Sequence, residues 1–302
     1  MERERDSVDL RQALNSYAAI HMASRNMAPR TRAEYSRDLV DLVGFLETNC
    51  AISNTRAVEL KHLESFLAEL DRRGLSSASR RRKAAAIRSF FGFVEGHGYA
   101  VSNVAARLRS PGREGREPRV LTEAEYKRLQ DTCRFHVRDQ AIIELFLQTG
   151  MRLSELGRLT TTDLDLPAKV GRDKEGAGSV RILGKGRKER TVTLNWKACR
   201  ALKSYLSTRA AMSDPRIFIT KFGAPMSPRA IQDTVKKYFR EANIENASVH
   251  TLRHTFGTHM VKKGTNLRVV QEAMGHSDLK TTSVYVHLAR ELMDEQLQAN
   301  AL

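Results

Sequence analysis

The sequence predicts a mainly α-helical fold with a small β-hairpin or sheet, arranged as a two-domain clamp: a helical N-terminal bundle and a mixed α+β second domain. Three observations predict it. Apolar residues recur at spacings of three and four through most of the chain, the mark of amphipathic helices. One stretch, from Val180 to Leu194, changes to a period of two. Between Ser110 and Pro118 lies SPGREGREP, rich in proline, glycine and charge and without apolar periodicity, which reads as a linker. At 302 residues the chain can bury two separate cores. The expected boundaries are residues 1–110, a linker at 111–118, and 119–302. Such a linker is long enough to let two lobes close around something as wide as a duplex.

Each element has a local reason. Leu10, Leu14, Tyr17 and Ala18 follow a helical stripe, and Pro29 opens a longer helix in which Tyr35, Leu39, Leu42, Val43 and Leu46 share a face. A third helix runs from about Leu60 to Arg73 and stops near Gly74. A fourth starts at a capping residue, Ser79, and ends around Gly96–Gly98. In the second domain, Thr122 and Glu125 have capping-box spacing. Two helices follow, the second stopped by Gly150, and MRLSELGRL begins another. In SVRILGKGRKERTVTL two β-branched runs flank a Gly-Lys-Gly turn, a hairpin signal. Helices return at about Lys197–Ala211 and Ser227–Ala242 and in the closing blocks.

Composition narrows the function classes. Lys and Arg number 51 against 35 Asp and Glu, a formal charge of +16. That excess predicts a polyanionic partner, because cations that neutralise phosphates release condensed counterions. The N-terminal MERERDSVDLRQ lacks the apolar core of a signal peptide, and nothing approaches the roughly 18 apolar residues of a membrane span. Cys50, Cys133 and Cys199 are scattered, with no CxxC pair, so neither a zinc site nor a disulfide framework is expected. These features predict a cytoplasmic, nucleoid-associated protein with no membrane partner.

Arg80, Arg81, Arg82 and Lys83 stand at the start of a helix, where cations oppose the helix dipole. An anion nearby would explain the placement, and a DNA backbone is the anion expected; a merely solvated face is the alternative.

The chemistry gathers late in the chain. His250 and Arg253 are three apart on one helix face if Ser248 caps that helix. His276 follows Gly275, and Tyr285 lies nine residues further. A hydroxyl nucleophile, a fixed cation and two imidazoles occur together, with no acidic cluster to hold a metal. His254 and His259 read as packing or supporting histidines. Arg152 follows the helix-ending Gly150 at a helix N-terminal turn, where backbone amides favour anions; a structural pair with Glu155 is the competing reading. Lys185 sits between glycines at the hairpin tip, and Lys188 competes for any role assigned there.

Together these motifs resemble the tyrosine recombinases of the phage integrase family, and most of all their compact Xer-type members. The family pattern of Arg, Lys, His-x-x-Arg, His and Tyr is filled in order by Arg152 in TGMRLSEL, Lys185 in ILGKGRKER, His250 and Arg253 in HTLRH, His276 in MGHSD, and Tyr285 in SVYVH. The likeness spans about Leu121 to Leu288; the N-terminal bundle resembles the family's core-binding domain by layout. The resemblance implies a site-specific recombinase that cuts and rejoins DNA strands through a 3′-phosphotyrosine on Tyr285. It implies that Arg152 and Arg253 hold the phosphate oxygens and Lys185 protonates the leaving 5′-oxygen. His250 then assists proton transfer at the phenol, and His276 donates to the phosphate. No cofactor or metal is implied. The implied partners are double-stranded DNA with paired half-sites and a tetramer on two sites, of this chain or with a second recombinase. The amphipathic tail, about 288–302, would dock on a neighbouring protomer or fold back on its own domain. The competing class is a type IB topoisomerase-like enzyme that relaxes DNA without a defined site.

Overall fold

The computed structural model describes residues 8–112, 118–170, 177–184, 188–209, 214–275 and Tyr285. The chain forms two compact units, Met1–Arg116 and Glu117–Leu302. Each carries its own apolar core.

Among its described residues, the regular elements of the first unit are helices. Helix α1 (Leu10–Ser16) is capped by Asp9, whose carboxylate accepts from the Arg11 and Gln12 amides. It runs through a π-helical turn (Tyr17–His21) into the short α2 (Met22–Ser24). Helix α3 (Pro29–Cys50) has proline in its first turn, where no amide is missed, and ends at Ala51 in the left-handed region. Helices α4 (Leu60–Arg72) and α5 (Ser77–Gly96) complete the unit. Their shared core is aromatic. Tyr17 meets Phe90 and Phe93 edge-on and donates its hydroxyl to Ser89 at 2.7 Å, so its polar end is satisfied inside. The cap of α5 is Ser76, not the expected Ser79. The Ser76 hydroxyl accepts from the Ser79 amide, which lies one turn inside.

The basic run at the start of α5 does have anions beside it, and they are the protein's own. Lys83 is buried, its ammonium 3.1 Å from Asp38 and 2.8 Å from Asp41. Arg82 pairs with the buried Asp38, and Arg80 with Asp71 at 2.9 Å. Carboxylates of α3 and α4 thus stand beside three of the four cations expected to face DNA. Arg81, half-buried, has no ion pair among the described residues.

In the second unit, α6 (Glu123–Cys133) carries the Thr122–Glu125 capping box. Arg119 donates to Glu125, and that bond above all holds the carboxyl down at about 2. Helix α7 (Val137–Thr149) is the buried axis of the unit, with Ile142, Ile143, Leu145 and Phe146 fully covered. It stops at Gly150, whose φ of +58° and closeness to the Phe256 ring admit no side chain. The helix expected in MRLSELGRL is one turn, α8 (Leu153–Leu156).

An antiparallel sheet follows in the order β1 (Leu164–Asp165), β2 (Gly178–Leu183), β3 (Glu189–Leu194). The hairpin register pairs Val180 with Val192 and Ile182 with Arg190. Strand β1 went unpredicted because two residues carry no periodicity. Helices α9 (Trp196–Thr208), α10 (Pro228–Glu241), α11 (Val249–Lys262) and α12 (Leu267–Met274) close the unit. Cys133 and Cys199 are buried thiols and Cys50 is half-buried, all unpaired. Among the described residues no helix is long and apolar enough to cross a membrane, and no group of metal-ligating side chains occurs.

Candidate active site

Helix α11 sets the site. Ser248 and Thr251 form its capping box, which fixes the first turn and with it His250 and Arg253. Arg253 points inward and is 6% exposed. Its guanidinium donates to the Gly150 carbonyl at 2.5 Å and to the Met274 carbonyl at 2.7 Å. One side chain thereby ties the end of α7 to the end of α12. Burial above all, with neighbouring Arg152 adding to it and Glu155 opposing, pulls its pKa down to about 10. It remains a cation at neutral pH.

Arg152 is the N-cap residue of α8, and its pair with Glu155 is formed. It donates to Glu155 at 2.9 Å and to the Gly275 carbonyl at 2.8 Å, and it stays half-exposed. Glu155 is itself buried, which would raise its pKa. Hydrogen bonds from Arg190 and from the Arg152 amide outweigh burial and hold it below the usual carboxylate range.

Tyr285 is 1% exposed and packs with Phe256, Val261, Val270 and Met274. Burial pushes the phenol up to about 12, partly offset by Arg253. Gly257 makes room for it: a Cβ there would lie 2.6 Å from Tyr285 Cζ and 2.7 Å from its hydroxyl. A glycine in mid-helix costs roughly 1 kcal/mol against alanine, and here the ring takes the space.

The phenol oxygen lies 2.9 Å from Nδ1 of His254. Burial, then the charges of His250 and Arg253, hold the His254 pKa below its ordinary value. A neutral ring protonated on Nε2 accepts the phenolic proton at Nδ1. His250, one turn earlier, lies at the surface, its pKa lowered by desolvation and then by Arg253 and Arg152. Among the described residues, His254, read from the sequence as packing or supporting, is the histidine at the hydroxyl. His254 also carried a sequence signal, since it directly follows Arg253. Lys185, His276 and the tail at about 288–302 lie outside the described residues.

Arg190 is a residue the sequence reading passed over. It donates to Glu155 at 3.1 and 2.8 Å and to the Ala273 carbonyl at 2.8 Å. Its signal was its place in the strand: Arg190, Val192 and Leu194 alternate onto one face, and an arginine among inward valine and leucine needs a partner.

Residues 119–291 match the phage integrase family, and residues 14–97 match the phage integrase N-terminal SAM-like domain. The chain belongs to the phage integrase family of tyrosine recombinases. It is 35% identical over 286 residues to the tyrosine recombinase XerC of Pseudomonas fluorescens, covering 92% of each chain. Against the XerC of Xylella fastidiosa it is 33% identical over 276 residues, covering 90% of each. Among solved structures, the fold resembles XerH site-specific recombinase bound to a palindromic difH substrate, with TM-score 0.74 and 21% identity, covering 94% of this chain and 84% of that one. A lambda integrase dimer bound to a core site gives TM-score 0.75 and 17% identity, covering 93% and 77%.

Proposed function

We propose that this chain is a site-specific DNA recombinase in which Tyr285 is the nucleophile, and that it acts on chromosomal DNA in the cytoplasm. The observation that carries the reading is the phenol of Tyr285 on the imidazole of His254, in one compact unit with Arg253 and Arg152. The relatives' names and the DNA substrates bound in the similar structures support the same reading.

The steps follow from the chemistry of these groups. A phenol held at about 12 does not ionise by itself at neutral pH, so its proton must leave as the oxygen attacks phosphorus. His254 takes that proton, and His250 and the arginines stabilise the charge that develops on the non-bridging oxygens. The P–O5′ bond breaks as the tyrosine–phosphorus bond forms, and Lys185 supplies a proton to the departing 5′-oxygen. His276 donates to the phosphate. The 3′-phosphotyrosine retains the ester, and a 5′-hydroxyl from a partner strand reverses the step without an external energy source. The N-terminal unit holds the duplex, with Arg81 the remaining phosphate contact of its basic run. Four protomers on two half-site pairs, of this chain or with a second recombinase, assemble through the tail. The similar lambda integrase tetramer on a Holliday junction supports that assembly.

The test is to trap genomic DNA covalently on the chain and sequence the attached ends. One recurring cleavage position with wild type, and no adduct with Tyr285→Phe although duplex binding persists, is the expected result. An adduct on the phenylalanine variant rules out Tyr285. Ends scattered without sequence preference rule out site-specific recombination.

A further inference from the structure

The last turn of α12 presents three consecutive carbonyls, and each accepts from a different arginine. Arg190 Nε donates to Ala273 at 2.8 Å, Arg253 Nη2 to Met274 at 2.7 Å, and Arg152 Nη2 to Gly275 at 2.8 Å. These carbonyls are the negative end of the helix, where cations are favoured. Two of the three arginines belong to the proposed phosphate site. The third comes from the sheet.

Arg190 and Arg152 also share one carboxylate. Glu155 Oε1 accepts from Arg152 Nη1 at 2.9 Å and Arg190 Nη1 at 3.1 Å. Glu155 Oε2 accepts from the Arg152 amide at 2.7 Å and Arg190 Nη2 at 2.8 Å. A buried carboxylate with Arg152 as its sole arginine would close onto that guanidinium in a bidentate pair and cancel its charge. With Arg190 gripping both oxygens, two cations face one anion, and Arg152 keeps a net positive field. Arg190 spends three nitrogens on protein partners and its side chain is 13% exposed, so it is not placed to meet substrate. Position 275 is built around it. A Cβ on Gly275 would lie 2.8 Å from Arg190 Nη1, at a backbone φ of +67°.

We propose that Arg190 is a positioning residue for strand cleavage, holding Glu155 and the end of α12 so that Glu155 does not fully offset the Arg152 cation and Arg152 stays aimed at the scissile phosphate. The inference rests on the recombinase reading above. Arg190 joins three segments that lead into candidate catalytic groups: β3 follows the Lys185 tip, α8 follows Arg152, and α12 precedes His276. A plain ion pair between neighbouring elements has no such reach.

The test compares wild type, Arg190→Lys and Arg190→Gln on one nicked duplex carrying the cleavage position recovered by covalent trapping. The duplex is made in two forms, with a phosphodiester or a methylphosphonate at the scissile position. The methylphosphonate replaces a charged oxygen with a methyl group, so the reacting centre asks less of Arg152. Both variants are expected to bind the duplex like wild type and to form adduct on the phosphodiester on the order of a hundredfold more slowly. Lysine cannot reproduce three bonds in fixed directions, so it does not rescue. On the methylphosphonate most of the deficit should disappear. Should the glutamine variant fail to fold, the lysine variant carries the comparison. An equal deficit on both substrates, or wild-type rates on both, overturns the inference while leaving the recombinase reading intact. A wild-type chain that forms no adduct overturns that reading and the inference with it.

Discussion

At the scale of single residues, the site works by withholding solvent. Tyr285 is covered by Phe256, Val261, Val270 and Met274, and its hydroxyl meets His254. Covering raises the cost of the phenolate and lowers the cost of a neutral imidazole, which sets an acceptor beside a donor that keeps its proton until attack. The pH dependence follows. The folded pKa of His254 lies below its ordinary value of about 6.5, so the ring is neutral above that pH and is lost as acceptor only as the pH falls. We expect the rate of adduct formation to be level near about pH 7 and to decline on acidification below about pH 6. Stability has the same sign, since the unfolded chain binds that proton first and the contribution of the neutral ring disappears as pH drops through its folded value. Single-turnover rates that climb between about pH 7 and pH 5 would exclude His254 as the acceptor.

At the scale of elements, charge decides more than periodicity foretold. Helix α5 starts with a run of cations that its own dipole disfavours, and α3 and α4 supply the carboxylates that answer it. Asp38 is 2% exposed and meets both Arg82 and Lys83. Breaking a buried pair leaves an uncompensated charge, so Asp38→Ala should lower unfolding free energy by about 3 kcal/mol in a urea titration. An unchanged midpoint would show that Asp41 alone satisfies Lys83. The same logic joins β3 to α12 in the second unit, where Arg190 is an interior strand residue with three bonds. Helix starts and stops were legible: Thr122 with Glu125, Gly150, and Ser248 all act where their residue types say they should. The partners of the cations were not, because Asp38 and Lys83 are 45 positions apart and no local rule connects them.

At the scale of the whole molecule, two units with separate cores carry a formal charge of +16. Several of those cations are committed internally, among them Lys83, Arg190 and Arg253. The remainder still favours a polyanion, and neutralising phosphates makes binding a steep function of salt. Affinity for the recognised duplex should fall roughly a thousandfold or more between about 50 and 200 mM salt, measured by fluorescence anisotropy. A flat salt response would mean that phosphate contacts contribute little.

The residues by themselves determined the helical class, the position of the hairpin and the order of Arg152, His250, Arg253 and Tyr285. Those features depend on spacing along the chain, which periodicity and capping chemistry express directly. Only the tertiary structure decided which imidazole meets the phenol, which anions absorb the basic run, and why Gly257 and Gly275 carry no side chain. Each of these depends on atoms brought within about 3 Å across long stretches of sequence. Hydrogen bonding and burial act at that range, and a linear pattern does not record it.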